Sequence, residues 1–121
     1  MAQNFSNKNM DLEPIAQVVH DAIRAWSAVH GQHTIPRWAD APDWMQASTL
    51  RSVAFVLDNP DASAGDQHRQ WMAQRLAEGW VFGEVRDEDA KTHPMLIPFE
   101  DLPDFEIKKD LLVAAIVKAL A

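Results

Sequence analysis

The chain contains no cysteine, which excludes disulfides, thiolate nucleophiles and cysteine metal sites together. No apolar run approaches the roughly 18 residues that a membrane helix needs. The first residues, Met1-Ala-Gln-Asn-Phe-Ser-Asn-Lys-Asn, lack the basic-then-apolar order of a secretion signal. A cytoplasmic location with no membrane contact is the resulting expectation. Positive charge is also short. Eleven Lys and Arg face 18 Asp and Glu for a formal charge of −7, and the pI is near 5.0. Such a balance opposes binding to a nucleic-acid backbone, which needs clustered Lys and Arg. It is uneven, because residues 84–110 hold nine acids against Arg86, Lys91, Lys108 and Lys109, leaving the rest close to neutral. A small anion can still be held locally; duplex nucleic acid is not expected.

The usual catalytic signatures are missing as well: no Gly-x-Ser-x-Gly elbow, no Walker loop, no His-Glu-x-x-His. His30 and His33 offer two imidazoles on either side of Gly31, with no third ligand near in sequence, and zinc sites need three or four. No metal, no cofactor and no enzymatic activity are therefore expected. An acid–base pair assembled by the fold is the remaining catalytic alternative.

What is present is a chain of 121 residues with 47% apolar composition, which reads as one globular domain able to bury a core without staples. Residues 1–10 are polar and read as a disordered terminus, and residues 11–121 as a single domain. Asp11 and Pro14 open a helix whose apolar positions, Leu12, Ile15, Val19, Ala22, Ile23, Trp26 and Val29, recur at helical spacing until Gly31. Trp26 is expected at the centre of its buried stripe. His20 and Arg24 flank that stripe, either as a solvated edge or as a pair aimed into a cleft. A rigid loop with Pro36, Trp38 and Pro42 follows. The second helix carries Trp44, Ala47, Leu50, Ala54 and Leu57 on one face, and Asp58-Asn-Pro60 breaks it.

Ser63 with Asp66 resembles a capping box for a third helix over about 64–78. His68, Trp71 and Arg75 share one face of it. An imidazole, an indole and a guanidinium make poor core material, so Trp71 is a candidate stacking platform. Gly79 stops the helix, Trp80-Val-Phe82 has strand character, and Gly83 supplies the next turn. Trp80 is expected to pack beneath that turn. Trp80–Val85 and Met95–Phe99 are expected to pair as a small ribbon, with Pro94 and Pro98 confining the second segment to an edge. A last helix from about Asp104, with Ile107, Leu111, Leu112, Ala115, Ile116 and Leu120, should seal the core.

The order His20…Arg24…Trp38…Pro42-Asp-Trp44…His68-x-x-Trp71…Gly79-Trp-Val-Phe-Gly83…Lys91-x-His93-Pro94…Pro98-Phe99…Leu102-Pro103…Lys109-Asp110 resembles the RyR domain, the repeat of ryanodine receptors, in its free-standing bacterial or phage form. The resemblance covers roughly residues 15–112. Phe stands at 82 and 99 where the family usually has Tyr, and Glu84 and Met95 where it often has Pro and Cys, so contacts through phenol hydroxyls do not carry over. The resemblance implies binding rather than catalysis, with sensor modules among microbial members and adenine-nucleotide binding associated with the receptor repeats.

The sequence-level expectation is thus an α+β, mainly α fold of about four helices with a two- or three-stranded ribbon. Its expected task is recognition of a nucleotide-like or anionic aromatic molecule, an adenine or a signalling nucleotide, as a sensor or a sequestering protein. Trp38 and Trp71 would sandwich the ring; Arg24, Arg75, His68, Lys91 and His93 would hold the charged end. The alternative is a protein-interaction module in which an aromatic cleft takes a partner or a second copy forms a homodimer. Two candidates have a plainer reading: Lys91 as a solvated charge, and His93 as a residue fixing its turn through a backbone hydrogen bond.

Overall fold

The computed structural model describes residues 11–121, so the expectation of a disordered segment over residues 1–10 falls outside it. Four α-helices are found among the described residues: α1 Glu13–Val29, α2 Asp43–Asp58, α3 Ala64–Ala77 and α4 Asp104–Leu120. None is long and apolar enough to cross a membrane. Local chemistry accounts for the ends. The Asp11 carboxylate accepts the Glu13 N–H at 3.0 Å, and Pro14 sits in the first turn, where its missing N–H costs nothing. Ser63 and Asp66 form the reciprocal capping box, at 3.1 and 3.0 Å, with Asp doing what Glu more often does. Gly79, at φ +91°, turns the chain out of α3.

The ribbon differs from the one expected. Strand β1 (Val81–Phe82) pairs with β2 (Thr92–His93), not with Met95–Phe99, and the pairing is parallel, Val81 opposite Thr92 and Phe82 opposite His93. Val81 N–H donates to the Lys91 carbonyl at 2.9 Å and Gly83 N–H to that of His93 at 3.4 Å. Pro94 follows at once and has no N–H to continue the ladder. Parallel neighbours are joined by so short a connection because the loop doubles back: Asp87 and Thr92 exchange both backbone hydrogen bonds at 3.0 Å.

The inner stripes of the helices change character along their length. A core of Ile15, Ala16, Val19, Val53, Val56, Val113 and Val117 is walled by α1, α2 and α4. Beyond it the same stripes turn polar: His20 and Ser27 on α1, Ser48, Thr49 and Ser52 on α2, Glu106 and Asp110 on α4. The buried row of α4 is therefore Glu106, Val113 and Val117, with Leu111 and Leu120 half exposed and Ala115 outside. Of the residues expected to seal the core, Ile116 packs against it while Leu111, Ala115 and Leu120 face outward, because packing against three neighbours, not apolar content, sets the rotation of α4. Trp26 is likewise only half-buried; its indole N–H donates to the Phe105 carbonyl at 3.0 Å, pinning α1 to the start of α4 rather than filling the centre.

Gly83 is required for space. A Cβ there would lie 2.6 Å from the Thr92 Cβ. Gly83→Ala is expected to destabilise the protein by about 1–3 kcal/mol, the range for overpacking a fitted contact. Urea unfolding followed by tryptophan fluorescence measures it.

Candidate functional site

The polar halves of the four helices and the segment after β2 enclose a cavity of about 500 Å³, within the size range of small-molecule sites. Helix α3 supplies one wall. Gln67, Trp71 and Arg75 line it at i, i+4 and i+8, with His68 beside them. Trp44 and Trp80 line it too, their rings 5.5 Å apart. Trp71 is half-buried; His68 stacks on it at 5.6 Å and His93 meets it edge-on at 5.0 Å.

Arg75 is the least expected of these side chains. It is 2% exposed, lies 5.4 Å over the Trp44 ring and pairs with Glu78 at 2.7 Å. That contact lacks hydrogen-bond alignment at Nη2, and the buried Nε has no partner either. Burial lowers its pKa below the ordinary guanidinium value, against the pull of Glu78, yet a guanidinium stays charged in proteins. Glu78 is shared: its other oxygen accepts from Arg51 of α2 at 3.0 Å and from Gln74 at 2.9 Å. Arg86, from the loop between the strands, also lines the cavity with a buried, unpartnered Nε.

The imidazoles divide into holders and wall. His20 donates to the Pro36 carbonyl at 2.7 Å and His68 to the Ile97 carbonyl at 2.8 Å, each fastening a proline-containing segment to a helix. His93 accepts the Met95 N–H on Nδ1 at 3.0 Å, the turn-fixing bond that its place before Pro94 suggested. A neutral ring accepting on Nδ1 carries its proton on Nε2. Burial holds this imidazole down at about 3, with Arg86, Lys109, Arg75 and His68 adding to the effect. On α4, Lys109 pairs with Glu106 at 2.7 Å. Asp110 lines the cavity with no ion pair among the described residues, and burial pushes its carboxyl up to about 7, Lys109 opposing the rise and Glu106 adding to it.

Of the seven residues expected at a ligand, Trp71, His68, Arg75 and His93 come together on this cavity; Trp38, Arg24 and Lys91 do not. Trp38 packs against the hydrophobic core, edge-on to His20 at 5.6 Å, so no sandwich with Trp71 forms and Trp44 and Trp80 stand at the wall instead. Arg24 is exposed and donates through Nε to the Ile35 carbonyl at 3.1 Å, holding the loop. Lys91, at φ 57°, donates to the Glu78 carbonyl at 2.8 Å and caps the C-terminus of α3. Asp110, Lys109, Glu106, Gln67 and Arg86 were not singled out from the sequence as site residues. Glu106 and Asp110 sit four apart in register with Val113 and Val117, a polar extension of a buried row, and that register is the signal that could have found them. His30 donates through Nδ1 to the Trp26 carbonyl at 2.8 Å and stacks on Phe105 at 5.2 Å, while His33 lines the cavity. No group of three or more side chains placed to hold a metal occurs among the described residues.

The family model of the RyR domain matches residues 56–120, which is 65 of the 121 residues. The matched stretch runs from the last turn of α2 to the end of α4 and contains the α3 wall, both strands and the acidic row of α4. The walls built by α1 and by the start of α2 precede it.

Two outcomes follow from the electrostatics. Glu78→Gln leaves Arg75 buried and uncompensated and should cost about 3 kcal/mol, the low end for breaking a buried pair because Glu78 is partly exposed; chemical denaturation measures it. The second concerns pH. Unfolding frees His93 to bind a proton below its ordinary 6.5, so its contribution to stability is lost as pH falls from 6.5 toward 3. Asp110 acts oppositely: its carboxyl stays protonated in the fold up to about 7 but ionises near 3.8 when unfolded, so stability falls as pH rises between those values. The two slopes offset each other between about pH 4 and 6.5. Asp110→Asn should remove one of them, so that the variant gains stability with pH across that window more steeply than the parent and exceeds it above pH 7. Urea midpoints at a series of pH values would read this directly.

Proposed function

Because the chain belongs to the RyR domain family, we propose that it is a non-catalytic recognition domain that takes a small anionic aromatic molecule, a nucleotide or a nucleotide-like signal, into the cavity beside α3. The observation that carries this reading is Arg75: a guanidinium 2% exposed, on the cavity wall, with an unpartnered Nε. An unmet buried donor is costly, and an anion supplied from outside would satisfy it. Arg86 offers a second unpartnered Nε. The indoles of Trp71, Trp44 and Trp80 supply flat apolar surface for a ring. Two of the acids near the site are held by cations, Glu78 by Arg75 and Glu106 by Lys109. A domain of this kind acts as a sensor that reports occupancy to another protein, or as a sequestering protein that lowers the free concentration of its ligand.

A second reading has one observation in its favour. Leu76, Val81, Phe82 and Val85 are each more than half exposed, Phe82 at 54%, and all lie at the α3–β1 end of the molecule. That surface supports the interaction-module alternative, with a partner protein or a second copy covering it. Sedimentation of the parent and of Phe82→Ser tests it.

Isothermal titration calorimetry against a panel of nucleoside monophosphates and cyclic nucleotides tests the first reading. Trp71→Ala should weaken binding by about 5- to 100-fold, the range for one base–aromatic stack. Arg75→Met should weaken it by about 10-fold or more, as expected for a charge-assisted contact, with circular dichroism confirming that the variant is folded. No binding at millimolar nucleotide by the folded parent sinks the proposal.

A further inference from the structure

The two ends of the cavity have opposite hydrogen-bonding character. Gln67, Trp71 and Arg75 fall on one line of α3, and eight residues of helix place Gln67 and Arg75 about 12 Å apart along its axis with the indole between them. At the Arg75 end the unpartnered groups are donors, Nε and Nη2 of Arg75. At the Gln67 end the free groups are acceptors. The Gln67 amide N–H₂ donates to the Asp110 backbone carbonyl at 3.2 Å, so the amide atom left to face a ligand is Oε1, an acceptor. Lys109, the cation next in sequence to Asp110, is occupied by Glu106 at 2.7 Å, and the Asp110 carboxyl pairs with no cation among the described residues.

We infer that Asp110, with Gln67 beside it, reads a donor-rich edge of the bound ring, so that the cavity selects a guanine-type nucleotide whose phosphate lies toward Arg75. A carboxylate presents two acceptors side by side, and guanine presents two donors side by side, N1–H and the N2 amine. Adenine and xanthine each offer one donor next to an acceptor on the corresponding edge, and that acceptor lone pair would face a carboxylate oxygen. The burial of Asp110 agrees with this: it holds the carboxyl up at about 7, and two donors from a ligand would stabilise the ionised form. The inference rests on the reading that the cavity binds nucleotides and adds to it which base.

The test is calorimetric titration of the full chain and of Asp110→Asn with GMP, AMP and XMP at pH 8. Asparagine keeps the shape of Asp110 and removes its charge, and its amide pairs one donor with one acceptor, the complement of the xanthine edge rather than the guanine edge. The parent is expected to bind GMP at least about 10-fold tighter than AMP or XMP, and Asp110→Asn to reverse the GMP-to-XMP preference by a similar factor. Tighter or equal binding of AMP by the parent, or an unchanged GMP-to-XMP ratio in Asp110→Asn, overturns the inference and leaves the nucleotide reading standing. Absence of binding by all three at millimolar concentration overturns both.

Discussion

Burial of the Arg75 guanidinium is the constraint around which the site end of this molecule is arranged. A charge with 2% exposure is tolerable only with a counter-charge held in place. Glu78 supplies it, and is itself fixed by Arg51 from α2 and Gln74 from α3. Its backbone carbonyl receives the Lys91 amine, which ties the strand loop to the same point. Trp44 gives the guanidinium a flat apolar cover. One glutamate thus joins two helices and the ribbon, and keeps the cation desolvated yet incompletely bonded.

The cavity exists because the helices do not bury apolar side chains along their whole length. Valines close the bundle at one end. At the other, serine, threonine, histidine and acid occupy the equivalent positions, and they do not fill space as leucine would. Histidines compensate by tying loops to helices: His20 and His68 each take a carbonyl beside a proline, fixing segments that have little regular structure of their own. His93 instead accepts the Met95 N–H and fixes its own turn at the end of β2, and burial keeps its ring neutral.

Arg75 and Asp110 face opposite problems with the same cause. Both are ionisable groups withdrawn from water. The guanidinium cannot give up its charge and is paired; the carboxyl is unpaired and holds its proton until near neutrality. The cavity wall thus carries a guanidinium on α3 and a carboxyl on α4, with the Trp71 indole also lining it.

Much of the framework was legible in the chain: four helices, their caps and stops, the capping box of Ser63 and Asp66, and the grouping of His68, Trp71 and Arg75 on one face. These follow from local rules, since a cap, a glycine stop and a helical repeat involve residues within a few positions of one another. Strand pairing, the rotation of α4 and the roles of Trp38, Arg24 and Lys91 were decided only by tertiary structure. Each depends on what arrives from far along the chain: the Thr92 backbone beside Val81, the Ile35 carbonyl over Arg24, the α3 terminus under Lys91. Asp110 is the clearest case. Its neighbours in sequence mark it as one more solvated acid on a helix, and only the packing of four helices removes the water that would make it so.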